Sequence, residues 1–143
     1  MDPAINPACQ DNISRIELRQ AVFLLVGDVL TLGLVTVFGF ATHGTFDTAG
    51  IRMLSTFIPL VIAWLLVAPH LDTFNLLVIK DYRNLWRPFW AMVRAAPMAA
   101  WLRGIWLNAP ILPIFVIVLG GFSALGLLVW RSIYFLIGRK RQR

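Results

Sequence analysis

Asp28 is the residue of this sequence best placed to do chemistry. It interrupts an otherwise apolar run from Ala21 to Ala41, and an acid inside such a run is a functional-site candidate whose partner must be found. At 1.5 Å per helical residue it lies roughly 10 Å below the start of that run. Arg94, at a similar depth in a later apolar stretch, and Arg131, at the inner end of the last one, are the candidate partners. Three roles stand open: a buried ion pair that fixes helix packing, a proton- or ion-coupling group, and an acid facing the cytoplasm. The ion pair is the favoured one, because an isolated charge in hydrocarbon is so unfavourable that partners are the rule.

Other reactive types give less. His43 and His70 have the side chain that usually ligates haem iron, but they fall at opposite ends of the apolar runs. Roughly 30 Å of hydrocarbon separates such ends, which excludes a bis-histidine haem within one chain. A single histidine holding a chlorophyll-type pigment stays open beside an ordinary loop histidine. Ser14, Ser55, Ser123 and Ser132 stand in no Gly-x-Ser-x-Gly setting, so no catalytic residue is assigned and no enzyme is expected. Gly120-Gly121 lies inside an apolar run and cradles no phosphate. No Cys/His spacing suits a metal. Cys9, the single cysteine, rules out an intrachain disulfide and reads as a thiol in a flexible tail.

The elements that must position these groups follow from composition. The chain has 143 residues, 59% hydrophobic and 14% charged, against roughly 45–50% and 25% in soluble domains. So much apolar surface needs lipid or other protein to cover it, and a lone soluble domain is excluded. A membrane span takes about 20 mostly apolar residues. Spans are expected at about 21–41, 51–69, 89–107 and 111–130, forming a transmembrane domain over 21–137. A polar segment, 1–20, precedes it, where Asp11 or Asn12 suits the cap of a short interfacial helix. A basic tail, 138–143, follows. The first run is too long for a secretory signal and lacks a small-residue cleavage site, so it is expected to be retained.

Leu71 to Arg87 carries Phe74, Leu77, Val78, Tyr82 and Leu85 at helical spacing, with Lys80, Asp81, Arg83 and Arg87 on other faces. The expectation is an amphipathic helix on the cytoplasmic face. Four spans put ten of the thirteen Lys+Arg on one side, with Arg52 and Arg103 on the other and Arg94 within span three. That asymmetry obeys the positive-inside rule and sets both termini in the cytoplasm. It also accounts for the net charge of +6 without nucleic acid as a partner. The fold class is therefore an all-α, integral-membrane four-helix bundle.

Small residues recur every four positions in Ala91, Ala95 and Ala99, and again in Gly120 and Ala124. Such stripes let helix backbones approach closely in lipid. Trp86, Trp90, Trp106 and Trp130 suit an interfacial aromatic belt, whereas Trp64 and Trp101 fall deeper and are expected to pack.

The Gly27-Asp28 pair, the Ala63-Trp64-Leu65-Leu66 run closing at Pro69, Trp101 with Arg103, and Trp130-Arg131 resemble the family catalogued as domain of unknown function 3054. The resemblance covers about Leu24 to Arg131. It implies a four-span protein of the prokaryotic plasma membrane and supplies no activity. The stretch around Asp72–Arg87 is longer than the resemblance leads one to expect, which suggests an added contact there.

Two functions follow. One is a non-catalytic accessory or scaffolding subunit of a larger membrane complex, of respiratory or photosynthetic type, contacting lipid and other subunits or copies of itself. The alternative is a small proton-coupled transporter working as an oligomer through Asp28. Neither implies a definite cofactor, though a bound lipid or pigment is compatible with the first.

Overall fold

The computed structural model of the protein describes residues 7–42, 50–75 and 81–140. Four α-helices make up almost all of it: α1 (Pro7–Thr42), α2 (Gly50–Val67), α3 (Trp86–Leu107) and α4 (Pro113–Lys140). Short 3₁₀ turns lie at Ala68–Leu71 and Tyr82–Asn84.

Three segments are long and apolar enough to cross a membrane: Ser14–Thr42, Gly50–Leu71 and Pro113–Gly138. The chain is therefore a multi-pass membrane protein. Helix α3 has 22 residues but is less apolar, since Arg87, Arg94 and Arg103 interrupt it and its inner face is built from alanine. That face is the centre of the bundle. Ala91, Met92, Ala95 and Ala99 of α3 are buried against Leu60, Ala63 and Trp64 of α2 and Ala124 and Leu127 of α4. Helix α1 packs more lightly, against α2 and α4.

Local chemistry explains the helix ends. Asn108 adopts φ 47° and its N–H closes α3 onto the carbonyls of Gly104 and Ile105, a left-handed cap that asparagine tolerates. Pro113 opens α4, where its missing N–H is no loss. Gly120 meets α3 so closely that a Cβ there would lie 2.6 Å from Cβ of Ala96. Helices α1 and α4 run antiparallel, since Gly27 faces Trp130 whereas Thr31 and Val35 face Gly126.

Two sequence expectations need correction. No separate interfacial helix precedes the first span: α1 is continuous from Pro7 and carries Asp11 and Asn12 within it. No Gly or Pro stands between Pro7 and Gly27, so nothing breaks the helix there. Nor do the described residues of 71–87 form one amphipathic helix; 76–80 lie outside the description. Asp72 turns to φ 52° and ends the first 3₁₀ turn. The Asp81 carboxylate accepts from the N–H of Arg83, starting a second turn rather than continuing a helix. Helical spacing of apolar residues was outweighed by local side-chain bonds to the backbone.

An ion pair buried between the first and last helices

Asp28 on α1 and Arg131 on α4 are brought together face to face. Nε of Arg131 donates to Oδ1 of Asp28 at 3.0 Å, and its Nη2 donates to Oδ2 at 2.6 Å. The third contact comes from the turn after α2, where the Thr73 carbonyl accepts from Nη1 at 2.9 Å. Asp28 is 0% and Arg131 3% exposed. A two-bond fork of this kind is the strongest form of a charged pair, and it fixes orientation as well as distance.

The surroundings are built for it. The Phe74 ring lies 5.5 Å from the guanidinium carbon and stands edge-on to Trp64, with centroids 6.5 Å apart. Thr73 is held by its own hydroxyl, which donates to the Ala68 carbonyl at 2.8 Å. The indole N–H groups of Trp64 and Trp130 are buried, and neither is within hydrogen-bond geometry of a partner. A void of about 20 Å³ lies on the other side of Arg131, bordered by Asp72, Thr73, Asp81 and Arg87. It has room for one water and does not reach Asp28. Arg87 stabilises the same turn, donating to the Leu71 carbonyl and to Asp72, each at 3.2 Å.

Both acceptor oxygens of Asp28 are thus engaged and shut away from solvent. The arrangement ties α1, the turn after α2, and α4 into one unit.

Arg94 does not take part: its side chain is exposed on the outer face of α3. Depth counted along a helix gives height and not direction, so Arg94 and Arg131 were equivalent in the sequence. His70 is exposed in the 3₁₀ turn that follows α2, and His43 lies outside the described residues. Among the described residues no three His, Cys, Asp or Glu side chains come together. Ala91, Ala95 and Ala99 are buried on the inner face of α3, with Ala124 of α4 buried beside them. Trp101 was expected to pack inward but is 56% exposed, whereas Trp130 turns inward over Gly27.

The sequence missed the Thr73 carbonyl, since backbone acceptors leave no residue signal. A second polar contact was missed as well: Nε of Arg103 on α3 donates to the Thr56 hydroxyl on α2 at 3.1 Å, while its guanidinium lies 4.7 Å from the Phe115 ring.

Residues 25–134 match the family described as protein of unknown function (DUF3054), and the chain belongs to that family. No curated protein and no solved structure matches it. Gly27, Asp28, Trp64, Trp130 and Arg131, drawn from three separate stretches that carried the resemblance, meet in the one cluster described above.

Proposed function

We propose that this member of the DUF3054 family is a non-catalytic membrane protein that serves as an accessory or scaffolding subunit of a larger membrane complex. The observation that carries the reading is the closed Asp28–Arg131 fork, whose acceptor oxygens are both used and whose carboxylate is fully buried. A coupling acid must exchange protons or ions with water on one side at a time, and the burial of this carboxylate against Arg131 supports a packing role instead. Helix α1 adds a second support. Phe23, Val26, Leu30, Leu34 and Phe38 recur every three or four residues and are all at least half exposed. In a bilayer that stripe meets acyl chains or the helix of another subunit.

The same reading places all four helices across a prokaryotic plasma membrane with both termini in the cytoplasm. The 22 residues of α3 reach about 33 Å, enough to cross the hydrocarbon. Arg94 lies on the outer face of α3, and Arg103 lies one turn from its end, so each has a route toward an interface.

Gentle detergent extraction followed by native electrophoresis and mass analysis tests the reading. A stoichiometric assembly with larger membrane subunits is the expected result. A lone homo-oligomer that drives a pH-dependent flux in proteoliposomes, lost in Asp28→Asn, would overturn it in favour of a proton-coupled transporter.

A further inference from the structure

At the end of the bundle away from Asp28 and Arg131, the helices part into a groove of about 820 Å³. Its walls come from the last two turns of α1, the start of α2, the end of α3 and the start of α4, with Phe38, Val118 and Phe122 supplying apolar surface. Its polar side chains are Thr36, Thr42, Arg52, Thr56 and Arg103, of which only the two arginines are charged. Both arginines line this one groove, and among the described residues neither has a carboxylate partner. The acids whose side chains are described, Glu17, Asp28, Asp72 and Asp81, belong to the opposite end of the bundle. Two like charges sharing one mouth call for an anion between them, and the apolar depth behind them calls for hydrocarbon.

We propose that this groove is a binding site for one anionic phospholipid, with its phosphate held between Arg52 and Arg103 and an acyl chain lying along Phe38, Val118 and Phe122. The volume falls in the range of about 300–1,000 Å³ usual for small-ligand sites. Both arginines are near helix ends, Arg52 in the first turn of α2 and Arg103 in the last turn and a half of α3, which is headgroup level for a spanning helix. Arg103 is already aimed by Thr56 and Phe115, so it needs little reordering to bind. Arg52 is exposed and free to close over the phosphate. The site is separate from the ion pair and stands whether or not the protein is a subunit of a larger complex.

The test uses the full chain, delipidated in detergent and titrated with phosphatidylglycerol or with phosphatidylcholine of the same acyl chains. Native mass spectrometry counts retained lipid, and tryptophan fluorescence follows melting. One phosphatidylglycerol per chain, bound at least tenfold more tightly than phosphatidylcholine, is expected. Arg52→Gln should erase most of that preference while leaving melting of the lipid-free protein unchanged. Arg103→Gln should do the same to the preference, with some loss of stability from the Thr56 contact. Gly39 lines the groove, and a Cβ there meets nothing within 4 Å, so Gly39→Leu adds bulk where a side chain has room to start and should weaken both lipids.

Equal affinity for the two lipids, or a preference that survives in Arg52→Gln/Arg103→Gln, would overturn the proposal. So would inorganic phosphate matching the effect at equal concentration, since that describes a free-anion site. A preference seen only in Asp47→Asn would also overturn it, because Arg52 would then be neutralised by the chain itself.

Discussion

A Cβ on Gly27 would stand 2.6 Å from Nε1 of Trp130 and closer still to ring atoms Cε2 and Cζ2. The indole of α4 therefore rests on bare backbone of α1. One step along each helix, Asp28 and Arg131 form their fork. Two neighbouring residues on each helix thus make a single lock: the glycine admits the ring, and the approach it allows lets the charges meet. Gly27→Ala is expected to destabilise the bundle by about 1–3 kcal/mol, as overpacking does in a filled core. Gly121→Ala is the control, since a Cβ there meets nothing within 4 Å. Melting in detergent should fall for the first and not for the second.

Removing one half of the buried pair leaves the other charge without compensation, which typically costs about 3–5 kcal/mol. Asp28→Asn and Arg131→Gln should each lower the melting temperature strongly. The double variant Asp28→Leu/Arg131→Met, which removes both charges together, should recover much of the loss. Arg94→Gln should change melting little, because its side chain is exposed on the far side of α3. A strong effect at Arg94 with none at Arg131 would contradict the geometry.

Sequence reading reached the four helices because hydrocarbon thickness and apolar run length are linked by simple arithmetic. It also reached Asp28, since an acid in such a run stands out. It did not separate Arg131 from Arg94, because the count along a helix carries no information on which face a residue takes. The same blindness to direction put Trp101 inside and Trp130 in the interfacial aromatic belt. The turn after α2 failed for a different reason. Phe74 keeps helical phase with Leu77 and Val78 in the sequence, yet it is recruited inward by Trp64 and Arg131, a tertiary contact that periodicity does not register.

The described residues on either side of 76–80, Thr73 to Asn75 and Asp81 to Leu85, should accordingly not share one helical phase in solvent accessibility. Thr73 is 2% exposed and Tyr82 61%. Spin labels at Tyr82 and Arg83 should be mobile and water-accessible, whereas a label at Phe74 should be immobile and should weaken the bundle. A smooth 3.6-residue oscillation across the whole stretch would restore the amphipathic helix.

Orientation is set by charge, and α3 decides it. If α3 crosses the membrane, Arg15, Arg19, Arg83, Arg87 and Arg131 share a side with the basic residues 139–143, and only Arg52 and Arg103 lie toward the other. If it does not, the chain ends on the side opposite to its start, and the most basic segment of the protein is translocated, against the positive-inside rule. The packing of α3 argues the same way: its alanine face is buried between α2 and α4 from Pro88 to Ala100, and a helix packed on spanning neighbours along that face needs less lipid-grade hydropathy of its own. Reporter fusions at Asp47, Asp81 and Arg143 should therefore read outside, inside and inside. A periplasmic signal at Arg143 would remove α3 from the membrane and invert the end of the chain, and would leave the buried alanine face without a reason to exist.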